Sequence, residues 1–210
     1  MGPLIEVLHS VFYGIDISCY RKARANTGLL RAIYNRMEMS TTLRETDAKI
    51  CEAGERQRKI DLRWMHRALE LARFAEEQDD EVPVGAVLVL GEHAVGEGWN
   101  RCITLNDPTA HAEILALRAA GVRLANYRFP GSALYVTLEP CAMCAMAMVH
   151  ARVERVVFAA YDPKTGAAGS VFDTLISDRH NHRIALEAGL LEDQSTELLR
   201  HFFSHRRNKG

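Results

Sequence analysis

Two short clusters along the chain combine residue types that bind metals and move protons. One is His-Ala-Glu at 111–113, and the other is Pro-Cys-Ala-Met-Cys at 140–144. Cys141 and Cys144 lie three residues apart, so on a helix their thiols share one face and can bind one ion. Pro140 suits a helix start, where the positive end of the helix dipole favours the thiolate form that binds zinc. The pattern therefore predicts a metal site.

Three protein ligands, His111, Cys141 and Cys144, leave the fourth tetrahedral position of a zinc ion open for water. Zinc lowers the pKa of such a water, and Glu113, two residues after the histidine, is placed to take its proton. We interpret Glu113 as a base rather than a ligand, because a fourth protein ligand would close the site. The chemistry indicated is hydrolysis, with Glu113 as the catalytic proton shuttle.

Each cluster alone has a simpler interpretation. Cys141 and Cys144 could form a redox pair or half of a structural zinc knuckle, and His111 could be a hydrogen-bonded core histidine. The knuckle would need a second pair of cysteines at this spacing, which the sequence lacks. A redox pair leaves the 111–113 cluster unexplained. Only a shared metal site accounts for both clusters.

The composition indicates one ordinary globular domain rather than a membrane or secreted protein. The 210 residues carry a net charge of −1, with 48% hydrophobic and 25% charged residues. No apolar run approaches the roughly 18 residues of a membrane span, and the N-terminus lacks the basic start of a secretory signal. Five cysteines with one close pair favour a reduced compartment, so we expect a cytoplasmic protein.

The elements that must position these residues follow from periodicity and turn signals. We expect residues 1–59 to form a poorly ordered N-terminal extension with a short helix near 27–37, and residues 60–210 to form the catalytic domain. Asp61 is the predicted N-cap of the domain's first helix. The predicted helices span 61–78, 111–121, 141–152 and 194–207, and the predicted strands span 84–90, 94–100, 133–138, 155–160 and 183–187.

Strands that alternate with helices after an initial hairpin indicate a three-layer α/β/α sandwich with a central mixed five-stranded sheet. The helix predicted over 141–152 is apolar nearly all round and rich in methionine. Such a helix lies either deep in the core or against a partner subunit.

Longer stretches around both clusters resemble a known family. They are EVPVGAVLV (81–89), GEGWNR (96–101), DPTAHAEILALR (107–118), LYVTLEPCAMCAMAMVHAR (134–152) and RVVFAAYDPKTGAAGS (155–170). From about residue 61 to 207 the chain resembles the bacterial tRNA-specific adenosine deaminases (TadA) of the cytidine and deoxycytidylate deaminase superfamily. The zinc clusters alone are shared with cytidine, deoxycytidylate and guanine deaminases, so the longer stretches carry the finer resemblance.

The resemblance implies a cytidine-deaminase-like fold and a homodimer with one zinc ion per subunit. It implies hydrolytic deamination of adenosine to inosine at wobble position 34 of a tRNA anticodon arm, usually of an arginine tRNA. His111, Cys141 and Cys144 match the family's zinc ligands, and Glu113 matches its proton shuttle.

The resemblance also implies residues that bind the substrate. Asn100 matches the residue that hydrogen-bonds the flipped base, and Val84 matches a residue of the base pocket. The remaining matches, in the loop and the final helix that border the RNA, are Asp162, Lys164, Phe202, Phe203, Arg206 and Arg207. Simpler roles remain open. Val84 can be a core residue, Asn100 can cap its loop, and at least one of the two adjacent phenylalanines must be core packing.

Cys102 stands where the family commonly has proline, which predicts a looser loop beside Asn100. Two alternative functions also remain. A small-molecule deaminase acting on cytosine, guanine or a free nucleoside would not need the basic, aromatic tail at 201–209. A zinc-stabilised RNA-binding module without turnover would have no use for Glu113.

Overall fold

A five-stranded sheet flanked by four helices organises residues 41–209, which the computed structural model describes. Residues Glu55–Gly210 form one compact unit. The helix predicted near 27–37 lies outside the described residues. The helices are α1 (Thr41–Asp79), α2 (Ala112–Leu124), α3 (Ala142–His150) and α4 (Glu192–Lys209), and the strands are β1 (Gly85–Leu90), β2 (His93–Trp99), β3 (Ser132–Leu138), β4 (Arg155–Ala160) and β5 (Ala185–Ala188).

The strand order is β2-β1-β3-β4-β5, and the sheet is mixed, as the sequence predicts. β1 pairs antiparallel with both β2 and β3, whereas β3, β4 and β5 run parallel. Because β3 and β4 are parallel neighbours, the loops after them emerge at the same edge of the sheet. This edge carries the cysteine cluster and the 161–170 loop.

The two faces of β1 bury different side chains, which shows the three layers directly. Ala86 and Leu88 pack into a core with α2 and α3, while Val87 and Val89 pack into a second core with α1. The α/β/α prediction is confirmed. Within the described residues, none of the helices is both long and apolar enough to cross a membrane.

Two glycines of β2 allow α2 to lie directly on the sheet. A Cβ atom at Gly96 would lie 2.1 Å from the Ala116 carbonyl oxygen, and one at Gly98 would lie 2.3 Å from that of Ala112. Any side chain at either position would push the helix away. The start of α2, with His111 and Glu113, is therefore set by backbone contact with β2.

The prediction that Asp61 caps a helix is wrong, because α1 already begins at Thr41. The segment before Asp61 is rich in good helix formers, but its side chains from 51 to 59 are exposed. It therefore lacks the apolar periodicity by which a sequence reveals a helix. Asp61 is 1% exposed, and its carboxylate accepts hydrogen bonds from Arg155 at 2.7 and 2.8 Å and from the Tyr135 hydroxyl at 2.7 Å.

The predicted end of α2 near Gly121 is also wrong. The helix continues to Leu124 and closes at Ala125, whose left-handed φ of 49° lets its N–H bond to the Gly121 carbonyl. Helices more often close with a left-handed residue that is glycine, and this preference led to the prediction that α2 ends near Gly121.

We expect Asp61→Asn to lower the free energy of unfolding by about 1.5–3 kcal/mol at neutral pH, the range for hydrogen bonds to charged groups. Burial acts to raise the pKa of Asp61, but hydrogen bonds from Arg155 and Tyr135 outweigh it and hold this pKa below its usual value. A depressed folded-state pKa stabilises the protein above the unfolded pKa of about 4, and this contribution is lost as the pH falls.

The difference between wild type and Asp61→Asn should therefore shrink in acid. Urea unfolding at several pH values measures it, and Asp173→Asn, at an exposed position, is the control. A difference independent of pH would contradict the charge-based role of Asp61.

Candidate metal centre

The three predicted ligands come from the starts of two helices. His111 is the N-cap of α2 and Cys141 is the N-cap of α3, both with extended backbone, and Cys144 lies in the first turn of α3. His111 and Cys141 are half-buried, and Cys144 is fully buried. α2 follows the loop after β2, and α3 follows β3. Because β1 is antiparallel to both strands, β2 and β3 end at the same edge of the sheet, and the starts of the two helices lie close together.

The spacing of the ligand atoms fits a zinc ion. The His111 Nδ1 lies 3.6 Å from the Cys141 Sγ and 3.5 Å from the Cys144 Sγ. All three atoms lie within 4.8 Å of one another, the one such group of three among the described residues. Usual zinc–sulfur and zinc–nitrogen bond lengths at a tetrahedral angle place these atoms about 3.6 Å apart. The donor set and its spacing therefore suit zinc.

The surroundings of the two cysteines shift their pKa values in opposite directions. Hydrogen bonds from Cys144 and His111 lower the pKa of Cys141 to about 4, although burial acts in the opposite direction. Contact with Cys141 and burial raise the pKa of Cys144. The two thiols thus share one negative charge without a cation. Full deprotonation of both requires a positive ion between them, which is the behaviour expected of a zinc ligand pair.

Glu113 lies in the first turn of α2, next to this group, and is 4% exposed. Burial raises the pKa of its carboxyl group. A carboxyl group with a raised pKa accepts a proton more readily near neutral pH, which is what a general base and acid needs. The structure brings Glu113 together with the three ligands as the sequence predicts.

The predicted base-binding residue, Asn100, follows β2 in a loop that Glu81 holds. Asn100 donates its backbone N–H to the Val84 carbonyl at 2.9 Å and its Nδ2 to the Glu81 carboxylate at 3.1 Å. The Cys102 thiol lies 3.5 Å from the Asn100 Oδ1, within hydrogen-bond distance for sulfur. The Val84 side chain is 9% exposed and belongs to the core.

The loop at 161–170 is held by a second buried acid, Glu139, which lies two residues before Cys141. Its carboxylate accepts hydrogen bonds from the backbone N–H groups of Asp162 at 3.0 Å, Ala168 at 2.9 Å and Ser170 at 3.1 Å, and from the Ser170 hydroxyl. A Cβ at Gly166 would lie 2.4 Å from this carboxylate, so only glycine fits there. Glu139 thereby joins the loop to the metal-binding helix.

Beside this loop lies a cavity of about 470 Å³, lined by Ala160, Tyr161, Lys164, Thr196, Leu199, Arg200, Phe203 and Arg207. Tyr161 is 51% exposed and Phe203 47% exposed, so both rings are accessible. We call these eight residues the aromatic–basic groove. It contains Lys164, Phe203 and Arg207, three of the residues that the resemblance assigned to RNA.

The structure separates the other tail and loop residues from this groove. Phe202 is 4% exposed and packs in the interior, so one of the two phenylalanines is core, as predicted. Arg206 stacks on the Phe202 ring and pairs with Asp80 at 3.1 Å. Asp162 accepts hydrogen bonds from the Lys164 N–H and the Thr165 hydroxyl within its own turn. The structure thus places Arg206 and Asp162 in intramolecular contacts.

The sequence did not reveal four residues around the metal centre and the groove. Glu81 and Glu139 are buried acids that hold the loops, and Tyr161 and Arg200 line the aromatic–basic groove. An acid at the end of an apolar strand looks the same in a sequence whether it is exposed or buried. Arg200 lies seven residues before Arg207, two helical turns away, and that spacing was the available signal for a shared face.

Comparison with known proteins agrees with the geometry. Residues 58–160 match the family described as the cytidine and deoxycytidylate deaminase zinc-binding region. The chain is 46% identical over 159 residues to a tRNA-specific adenosine deaminase of Haemophilus influenzae, covering 75% of this chain and 91% of that protein. It is 46% identical over 144 residues to the protein of the same description in Agrobacterium fabrum, covering 69% and 94%.

A solved structure is similar as well. It comes from work on A-to-I editing by tRNA:A34 deaminases at the wobble position of transfer RNA. It shares 46% sequence identity with a TM-score of 0.63, and the match covers 65% of this chain and 99% of that one. The fold is therefore the fold of this group of proteins.

We expect one zinc ion per chain, lost on substitution of Cys141 or Cys144 by alanine, because each removes one of three ligands. Elemental analysis of purified protein measures the content. Cys102→Ala is the matched control and should keep its zinc, since the Cys102 thiol contacts Asn100 rather than the ligand group. Full occupancy in both ligand variants would place the metal elsewhere.

Proposed function

This chain belongs to the family of tRNA-specific adenosine deaminases, and we propose that it converts adenosine to inosine at wobble position 34 of a tRNA anticodon. The observation that carries the proposal is the His111, Cys141 and Cys144 group with the buried Glu113 at its side. The aromatic–basic groove, which shares the 161–170 loop with the metal centre, favours an RNA substrate over a free nucleoside.

His111, Cys141 and Cys144 would hold the zinc ion, which when bound lowers the pKa of a water molecule and so makes it a nucleophile near neutral pH. Glu113 accepts one proton from the water that attacks C6 of adenine. The same carboxyl group gives this proton to the ring nitrogen N1, then takes a second proton from the new C6 hydroxyl and gives it to the amino group, which leaves as ammonia. The C6–N bond breaks and a C6–O bond forms, so one water is consumed for each ammonia released.

Asn100 supplies polar recognition of the flipped adenine in this proposal. A base removed from its stack is recognised through hydrogen bonds to its edge and through apolar contact with its faces. Asn100 lies on the loop that follows β2, and α2, which carries Glu113, packs on β2. The backbone carbonyl of Val84 anchors Asn100, and the Val84 side chain packs in the core.

The aromatic–basic groove would receive nucleotides that flank the reacting adenosine. Unstacked bases bind to exposed aromatic rings, and phosphates bind to clustered cations. Tyr161 and Phe203 supply the rings, and Lys164, Arg200 and Arg207 supply the charges. In this proposal Asp162 shapes the loop through its turn and keeps Lys164 in place.

We further propose a homodimer and an arginine tRNA as the substrate, both implied by the resemblance, and a cytoplasmic location, which the cysteine content favours. For the dimer, the support in the structure is α3. Met143, Met146 and Ala147 remain partly exposed beside the fully buried Cys144 and Met148. A partner subunit would cover them and hold the metal-binding helix from its outer side.

We expect the zinc-loaded protein to form inosine at position 34 when incubated with total tRNA, and Glu113→Ala to abolish this activity. Positioned proton transfer contributes about 10²–10⁴-fold, and here one residue serves several steps. Inosine is measured by sequencing or mass spectrometry of the tRNA. Glu113→Ala should keep its zinc, and Glu92→Ala, an exposed acid in the β1–β2 turn, should keep both zinc and activity. Near-normal turnover by Glu113→Ala would contradict the proton-shuttle role.

The groove predicts that Arg200→Ala and Arg207→Ala weaken binding of an anticodon stem-loop more than Arg206→Ala does. Arg200 and Arg207 line the groove, whereas Asp80 already pairs with Arg206. Each lost phosphate contact should reduce the slope of log affinity against log salt by about 0.7, the value for single strands. Binding titrations at several salt concentrations measure this slope.

Arg179→Ala, an exposed arginine outside the groove, controls for the change in net charge. Equal losses in all four variants would indicate a general charge effect and contradict the groove. The zinc content should be the same in every one of them.

A further inference from the structure

The buried carboxylate of Glu81 has a role that the zinc chemistry does not explain. Glu81 is 1% exposed, and its oxygens accept three N–H groups, none of which belongs to a charged side chain. Oε1 accepts the backbone N–H groups of Ile103 at 2.7 Å and Thr104 at 2.8 Å, and Oε2 accepts the Asn100 Nδ2 at 3.1 Å. One side chain thus holds both the loop after β2 and the amide predicted to contact the base.

The backbone on both sides of this contact is fixed. Asp80 has a left-handed φ of 51°, which turns the chain at the end of α1, and the Glu81 N–H then donates to the Ala75 carbonyl at 3.0 Å. On the other side, the Asn100 N–H donates to Val84 at 2.9 Å. Backbone hydrogen bonds therefore hold both Glu81 and Asn100 where their side chains meet.

An ionised carboxylate only accepts hydrogen bonds, so it selects the NH2 end of an asparagine amide. The other end, Oδ1, faces the Cys102 thiol, which can donate to it. With both contacts made, one N–H and one lone pair of Asn100 remain for a substrate. Glu81 thereby sets which way the Asn100 amide is turned, with its NH2 group facing Glu81 and its Oδ1 facing Cys102.

We propose that Glu81 is a positioning residue that sets the orientation of the Asn100 amide and so the hydrogen-bond pattern presented to the target base. The inference rests on the proposed function, since it assumes that Asn100 contacts adenine. It assigns to Glu81 an effect on base recognition that is transmitted through Asn100 and not through the metal.

The test is Glu81→Gln, which keeps the shape of the side chain. The glutamine oxygen can still accept Ile103 and Thr104, but its NH2 group then faces the NH2 group of Asn100. The Asn100 amide must turn over or lose this bond. We expect kcat/KM for an anticodon stem-loop to fall about 10- to 100-fold, the equivalent of one hydrogen bond to a charged group. Zinc content should stay at one per chain.

A double-mutant cycle with Asn100→Ala separates positioning from general stability. If Glu81 acts through Asn100, Glu81→Gln should cost little further activity once the amide is gone, under single-turnover conditions with excess enzyme. Glu139→Gln is the matched control, because this equally buried acid holds a different loop and its effect should add to that of Asn100→Ala. Additive losses for Glu81→Gln would overturn the proposal.

A measurement on the wild-type protein covers the case in which Glu81→Gln does not fold. In ¹⁵N-labelled protein, the side-chain NH2 signal of Asn100 is identified by its absence in Asn100→Ala. A proton held by Glu81 should exchange slowly and resonate away from the solvent-exposed asparagine amides, and an ordinary, fast-exchanging signal would overturn the proposal. If that signal is as expected but wild type forms no inosine, the proposed function fails and the role in base recognition fails with it.

Discussion

The metal centre depends on holding the His111 Nδ1 within 3.6 Å of two sulfur atoms that lie about thirty residues further along the chain. A tetrahedral ion tolerates little error in this spacing. The protein meets the constraint by placing the ligands at the starts of two helices that pack on one sheet. α2 touches β2 through backbone at Gly96 and Gly98, with no flexible side chain in between. The positions of the metal ligands therefore depend on how the helices pack on the sheet.

The loops around the metal centre carry their own constraint, because backbone N–H groups that leave water must find acceptors. Two buried acids supply these acceptors. Glu139 takes the N–H groups of the 161–170 loop, and Glu81 takes those after Asn100. A carboxylate can accept several donors at once and is strengthened by its charge. These hydrogen bonds fix the irregular segments beside the helices that carry the site.

The sequence predicted those features that depend on residue spacing and apolar periodicity along the chain. The spacing of His111, Glu113, Cys141 and Cys144 named the metal group, and periodicity placed the five strands and the helices between them. The start of α1 was not predictable in this way, because exposed helix formers carry no apolar stripe. Glu81 and Glu139 were missed since burial of an acid depends on tertiary contacts. Arg206 and Arg207 are adjacent, and only packing decides that one meets Asp80 and the other the groove.

The nearly neutral chain can still present a positive groove, since its charges are sorted by position. Asp80 neutralises Arg206, whereas Lys164, Arg200 and Arg207 surround the same cavity. At physiological salt the screening length is about 8 Å, so acidic residues farther away do little to cancel this local field. Stacking on Tyr161 and Phe203 accepts any base, because every base has a π-face. Under the proposed function, affinity then comes from the groove. The choice of which base reacts falls to the amide of Asn100.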